Sequence, residues 1–133
     1  MKVLGICNAN NSGAAVIVDG VVVATANEER FTRKKLTWEF PINTINYVLE
    51  ASGLDLSDID LIGCGAWNGI DTDEPLPKLI DDVVNISAKD DFSKNKVKER
   101  INATLRSDAA SREALIANCE KNGIPTEKLV FCD

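Results

Sequence analysis

The sequence predicts an α/β fold in which three antiparallel strands are followed by alternating helices and strands. Three apolar runs occupy residues 3–7, 14–18 and 21–26, and Asp19-Gly20 separates the last two. Asp-Gly between β-branched runs is typical of a type I′ hairpin turn, because both central residues need a positive φ. Further along, the apolar spacing changes to the period of a helix. The chain therefore begins as a meander and continues as a mixed domain.

The first predicted helix follows Pro41, a residue that is tolerated at a helix start because its missing N–H would have no partner there. Apolar residues recur at a spacing of three to four from Ile42, and Gly53 is a typical helix stop. A fourth strand is predicted over residues 60–65, and a loop rich in Gly, Asp and Pro over residues 67–77.

The second half of the chain alternates in the same way. Residues 76–84 and 93–105 predict two helices, and Ser107 is a candidate N-cap for a third over residues 108–121. Gly123 ends that helix, and residues 128–132 form the last predicted strand. This order is that of an actin-like ATPase half-domain, and a ribonuclease H-like sheet shares it. The fold class by itself assigns no substrate.

The composition excludes several kinds of partner. The 133 residues carry a net charge of −6, with 44% apolar and 27% charged residues. A nucleic-acid platform and an anionic membrane surface both require a cationic face. Ten acidic and two basic residues give residues 55–91 a charge of −8, whereas two acidic and four basic residues give 28–35 a charge of +2. An anionic small molecule remains a possible ligand of this basic cluster.

Four cysteines are present, at positions 7, 64, 119 and 132, and no two form a Cys-x-x-Cys pair. The chain has no histidine, so a structural zinc site is not expected. Buried, reduced thiols and a cytoplasmic location are expected instead. No signal peptide is visible, and Asp19-Gly20 interrupts the longest apolar stretch, which argues against a membrane span.

The first candidate site is the turn between the first two strands. Its small and amide residues could bring backbone N–H groups and side-chain donors to a phosphate; they are Asn10, Asn11, Ser12 and Gly13. A tight turn without any ligand is the alternative interpretation.

A second candidate site is the basic run of Arg33, Lys34 and Lys35, which could clamp an anion. The alternative is a solvated loop with ion pairs worth under about 1 kcal/mol each. Trp67, with Asn68 and Gly69, could stack on a base or cap the core. The acidic residues at 71–74 do not have EF-hand spacing and are interpreted as solvated surface.

Several segments in one order resemble the N-terminus of the nodulation and antibiotic O-carbamoyltransferases. They are LGI at 4–6, SGAA at 12–15, DG at 19–20, EERFTRKK at 28–35 and FP at 40–41. The resemblance implies that residues 1–133 are the N-terminal lobe of an actin-like domain, followed in such enzymes by a YrdC-like domain. It also implies ATP and carbamoyl phosphate as substrates, a carbamoyl-adenylate intermediate, and transfer to a hydroxyl of a small molecule.

The resemblance implies a role for individual residues as well. Lys35 matches the lysine expected to contact carbamoyl phosphate or the adenylate, and Arg33 and Lys34 match positions that hold the loop. The family's iron ligands, histidines and an aspartate, are expected after the strand that ends at Cys132. We therefore expect residues 1–133 to lack the metal ligands and to be inactive alone.

The sequence also departs from the family pattern. The family has His-Asp where this chain has Asn10-Asn11, and a histidine where it has Leu36. Asparagine cannot shuttle protons near neutral pH, so a non-catalytic binding or scaffold module is one alternative function. Another actin-like phosphotransferase is a further alternative, although Asn8 stands where those enzymes have an aspartate. An exposed sheet edge would allow self-association into a homo-oligomer.

Overall fold

The computed structural model describes residues 1–65, 76–87 and 89–132. The chain divides into two compact units, Met1–Gly65 with Ala114–Cys132, and Ala66–Glu113. The strands are β1 (Lys2–Cys7), β2 (Gly13–Val18), β3 (Val21–Asn27), β4 (Leu61–Gly65) and β5 (Leu129–Cys132). The helices are α1 (Glu29–Thr32), α2 (Ile42–Ser52), α3 (Leu76–Ser87) and α4 (Asp91–Lys121).

The five strands form one sheet in the order β3-β2-β1-β4-β5. Strands β1, β2 and β3 pair antiparallel, whereas β4 is parallel to both β1 and β5. The parallel pairs follow from the helical connections, because a short hairpin cannot join parallel strands. The predicted fold class, a meander followed by alternating helices and strands, is confirmed.

The predicted hairpin turn is confirmed in its backbone geometry. Asp19 and Gly20 have φ values of 49° and 83°, as a type I′ turn requires. The Asp19 carboxylate also accepts a hydrogen bond from the Met1 amino group. This bond raises the pKa of the Met1 amino group and lowers the pKa of the Asp19 carboxyl. The β2–β3 register shifts between Val16 and Ile17, which marks a bulge.

One face of the sheet carries the hydrophobic core of the first unit. Alternate residues of β1, β2 and β4 pack there with residues of α2 and the end of α4. The most buried are Leu4, Ile6, Val16, Ile45, Val48, Ile62, Cys64, Leu115 and Cys119. The period-two alternation of the strands thus determines which side chains meet the helices.

Helix α2 ends as the sequence predicts, with Gly53 at φ 67° and its N–H donating to the carbonyls of Leu49 and Glu50. Its beginning is less usual. The N-cap residue is Pro41, which provides no side-chain hydrogen bond to the first turn. The N–H groups of that turn have no partner within the helix and therefore need acceptors from elsewhere in the chain.

The prediction of a helix break near Ser107 is wrong, because α4 runs without interruption over Asp91–Lys121. This segment contains neither Gly nor Pro. Ser and Asp inside a helix cost only a few tenths of a kcal/mol, roughly, so a good N-cap residue does not itself break a helix. The predicted end at Gly123 is confirmed, with φ 68° and its N–H bonded to the Glu120 carbonyl.

In the second unit, α3 is longer than the predicted 76–84 and extends to Ser87. Lys98 of α4 pairs with Asp81 of α3 at 2.6 Å. Residues 67–75 of the predicted loop, with Trp67, Asn68, Gly69 and the acids at 71–74, lie outside the described residues. None of the helices in the described part of the chain is both long and apolar enough to cross a bilayer.

We expect Gly13→Ala to destabilise the chain by about 1–3 kcal/mol, because overpacking at a close contact forces the backbone apart. A Cβ atom at Gly13 would lie 2.5 Å from the Ala26 carbonyl oxygen of the paired strand. Urea unfolding followed by circular dichroism measures the effect. Gly63→Ala is the matched control, since its Cβ would meet nothing within 4 Å. Equal unfolding midpoints for the two variants would contradict this prediction.

Candidate functional site

The first candidate site is the turn between β1 and β2, here called the first turn (residues 8–13). Asn11 adopts a φ of 64°, a left-handed conformation that asparagine tolerates better than most residues. Asn10 is exposed, while Ser12 and Gly13 are buried. The sequence therefore placed a tight turn correctly, and its serine faces inward.

The backbone of Ser12 is fully engaged within the protein. Its N–H donates to the Thr37 carbonyl at 3.1 Å, and its carbonyl accepts from the Glu28 N–H at 2.9 Å. The expectation that the amide of Ser12 points at a phosphate is therefore wrong. The segment after the basic run folds back onto the first turn and uses this donor.

Three side-chain atoms of the first turn have no hydrogen-bond partner among the described residues. Asn8 Oδ1, Asn11 Oδ1 and Ser12 Oγ are buried and accept or donate no hydrogen bond among the described residues. Leaving a buried polar atom unsatisfied costs about 1–3 kcal/mol, so such atoms in a native fold call for a ligand or water. Two of the three are carbonyl oxygens, which bind hydrogen-bond donors and not anions.

The second candidate site is the basic segment (residues 33–35). All three side chains are exposed. Lys34 pairs with Glu39, whereas Arg33 and Lys35 make no side-chain hydrogen bond or ion pair with the described residues. Arg33 has a φ of 61° and its N–H caps α1 through the Glu29 carbonyl. Arg33 and Lys35 are therefore exposed cationic donors, and no acidic side chain among the described residues pairs with them.

The Ser12–Thr37 hydrogen bond connects the first turn to the segment that carries these cations. Lys35 precedes Thr37 by two residues, so their Cα atoms are at most about 7 Å apart. Leu36 between them has a φ of 53° and its N–H lies 3.4 Å from Glu29 Oε2. The structure therefore brings the backbones of the two predicted sites together.

Sequence reasoning missed Glu28, which it grouped with a charged, solvated run. The residue is 1% exposed. Its Oε2 accepts from the Thr44 N–H at 2.9 Å and the Thr44 hydroxyl at 2.8 Å, and its Oε1 accepts from Asn43 Nδ2 at 2.6 Å. This carboxylate supplies the cap that Pro41 cannot provide to α2. No local pattern distinguishes Glu28 from the acidic residue beside it.

A cavity of about 520 Å³ lies in the first unit. Its floor includes Gly5, Ala15 and Gly63, which occupy neighbouring strands in register on the face opposite the core. Asn11 and Cys7 contribute to its lining. Gly5 and Gly63 lie inside the strands predicted over residues 3–7 and 60–65. Their meeting with Ala15 depends on the pairing of three strands, which no single strand sequence indicates.

The thiols differ in their surroundings. Cys64 and Cys119 are buried, as expected, and burial together with the neighbouring Glu120 raises the pKa of the Cys119 thiol. Cys7 is exposed, which corrects the expectation of burial, because it is the last residue of β1 and lies on the cavity side. Within the described ranges, no three Cys, Asp or Glu side chains are grouped closely enough to hold a metal ion.

Residues 2–117 match the protein family described as Carbamoyltransferase N-terminus. The chain belongs to this family. The match covers most of the chain, and it confirms the resemblance carried by the segments between residues 4 and 41. Both candidate sites, the first turn and the basic segment, lie within the residues that match this carbamoyltransferase N-terminus family.

Curated relatives agree over a shorter part of the chain. The chain is 49% identical over 53 residues to the nodulation protein NolNO of Sinorhizobium fredii and to the uncharacterised protein sll1178 of Synechocystis. The matches cover 39% and 40% of this chain, but only 8% and 9% of those relatives. This carbamoyltransferase N-terminus therefore corresponds to a small share of the length of the curated relatives it matches.

Among solved structures, YeaZ from Pseudomonas aeruginosa resembles part of this chain. The aligned region covers 71% of this chain and 39% of the YeaZ chain. The sequence identity is 18% and the TM-score is 0.37. A similarity of this size adds nothing to the functional argument. The fold of this carbamoyltransferase N-terminus follows from its own strand order.

We expect iodoacetamide to alkylate Cys7 in the native chain and to spare Cys64 and Cys119, because burial denies the reagent access to both thiols. The raised pKa of the Cys119 thiol disfavours its reaction further. Peptide mapping by mass spectrometry measures each site separately. In denaturant all three should react at similar rates, which serves as the control. Native Cys119 reacting as fast as Cys7 would contradict the burial described above.

Proposed function

We propose that this chain is the N-terminal lobe of a cytoplasmic enzyme that carbamoylates a hydroxyl group of a small molecule. Carbamoyl phosphate and ATP would supply the group through a carbamoyl-adenylate. Membership of the carbamoyltransferase N-terminus family supports the reaction class. The observation that carries the assignment to these residues is the Ser12–Thr37 hydrogen bond, which holds the first turn beside the basic segment.

The two segments offer opposite chemistry, as the two ends of carbamoyl phosphate require. The phosphate end needs cationic donors, and Arg33 and Lys35 make no internal ion pair with the described residues. The carbamoyl NH₂ group is a donor and needs acceptors, and Asn8 Oδ1 and Asn11 Oδ1 are buried acceptors without a described partner. We therefore place the phosphate at the basic segment and the carbamoyl group at the first turn.

The iron that the family resemblance implies does not fit the residues of this chain. There is no histidine in the sequence. In the part of the chain that the structure describes, no three Cys, Asp or Glu side chains are grouped closely enough to hold a metal ion, and iron in proteins is commonly held by imidazole. The proposal therefore gives residues 1–133 a substrate-positioning role. It predicts that this chain alone releases no pyrophosphate from ATP and carbamoyl phosphate.

Lys35→Ala should weaken binding of carbamoyl phosphate to this chain about tenfold or more, because a charge-assisted hydrogen bond contributes about 1.5–3 kcal/mol. Isothermal titration calorimetry measures the dissociation constant, and raising the salt concentration should weaken binding further. Lys121→Ala is the control, since that lysine lies in the last turn of α4. Equal affinity for the two variants would contradict the role of Lys35.

The amide acceptors predict a preference between two similar ligands. Acetyl phosphate has a methyl group where carbamoyl phosphate has NH₂, so it should bind roughly five- to thirtyfold more weakly, a loss of about 1–2 kcal/mol. Asn11→Gly removes one acceptor and tolerates the positive φ, and should reduce this preference. Asn10→Gly, an exposed neighbour, is the matched control. If neither ligand binds the unaltered chain, the non-catalytic scaffold becomes the better interpretation.

A further inference from the structure

We propose that Glu28 is a positioning residue that holds the first turn and the basic segment in the arrangement that binds the ligand. The inference rests on the proposed function, because it assigns a role toward the same ligand. Glu28 does not face that ligand: its carboxylate is buried against α2. It acts through the segments on either side of it.

The side chain of Glu28 is bonded to the beginning of α2. A carboxylate that accepts two hydrogen bonds from Thr44 and one from Asn43 has its charge distributed over three donors. These donors belong to the first turn of α2, where the helix dipole also stabilises a negative charge. The side chain of Glu28 is therefore fixed to the beginning of a helix that packs on β2 and β3.

The backbone of Glu28 connects the first turn to α1. The Glu28 N–H donates to the Ser12 carbonyl at 2.9 Å. The Glu28 carbonyl accepts from the N–H groups of Phe31 and Thr32, each at 3.0 Å, and from the Thr32 hydroxyl. One residue thus contacts the first turn, begins α1 and is attached to α2. The basic segment follows α1 directly, so its direction depends on this connection.

Removal of the Glu28 carboxylate has a cost in free energy because its donors lose their acceptor. Truncation would leave the Thr44 N–H and hydroxyl buried without an acceptor. An unsatisfied buried donor is more costly than the bond itself is favourable, because its desolvation is no longer compensated. The chain can relieve that cost by letting residues 28–37 move away from α2. The Ser12–Thr37 hydrogen bond would be lost in the same movement.

The experiment measures carbamoyl phosphate binding and amide hydrogen exchange on the 133-residue chain and its variants. Glu28→Ala should weaken binding tenfold or more and raise the exchange rate of the Ser12 N–H tenfold or more relative to amides of β1 and β4. Glu28→Gln keeps an acceptor for Thr44 and should restore binding to within about threefold of the unaltered chain. Thr44→Val removes only the hydroxyl donor and should have an intermediate effect.

Asp55→Ala is the matched control, because Asp55 is also a capping carboxylate, bonded to the N–H groups of Ser57 and Asp58. It should leave binding and the Ser12 exchange rate unchanged. Binding by Glu28→Ala within twofold of the unaltered chain would overturn the inference and leave the proposed function standing. If Glu28→Ala does not fold, Glu28→Gln and Thr44→Val decide: full binding by Thr44→Val together with an unchanged Ser12 amide overturns the inference.

The two proposals fail in different ways. An unaltered chain that does not bind carbamoyl phosphate contradicts the proposed function, and the ligand-directed role of Glu28 falls with it. A uniform rise in exchange over the whole sheet of Glu28→Ala, with no excess at Ser12, contradicts the positioning role alone. Faster exchange confined to Ser12 and the basic segment supports it.

Discussion

The buried carboxylate of Glu28 is the interaction on which the arrangement of the first turn and the basic segment depends. The carboxylate accepts three hydrogen bonds from Asn43 and Thr44. The backbone of Glu28 forms hydrogen bonds with Ser12, Phe31 and Thr32. A buried charge is tolerated only where donors replace water around it. The start of α2 provides those donors because Pro41 leaves them unused. The Glu28 carboxylate therefore gains hydrogen-bond donors, and the first turn of α2 gains an acceptor.

This constraint explains why the candidate ligand groups lie where they do. The chain leaves β3 at Asn27, passes through Glu28 and forms the single turn of α1 before the basic segment. With Glu28 fixed, the following residues return to the first turn and Thr37 accepts from Ser12. The resulting surface combines exposed cations with buried amide oxygens. Such a pairing suits a ligand with an anionic end and an amide end.

Local patterns predicted the elements whose signals are short in range. The Asp19-Gly20 turn, the stop of α2 at Gly53 and the strand at 61–65 follow from backbone preferences that neighbouring residues determine. The break at Ser107 was predicted from a favoured capping residue. It failed because a helix of good formers continues past such a residue unless Gly, Pro or a competing contact stops it. Element order was therefore more predictable than the continuity of α4.

The sequence by itself determined the meander, the order of helices and strands, the basic segment and the resemblance to the carbamoyltransferase N-terminus. Only the tertiary structure decided that Glu28 is buried while the next residue is not, that the Ser12 amide is taken by Thr37, and that Gly5, Ala15 and Gly63 form one cavity floor. The physical reason is the separation along the chain over which each interaction acts. Backbone preferences act within a few residues, whereas a hydrogen-bond acceptor can be supplied from 16 positions away, as Glu28 does for Thr44.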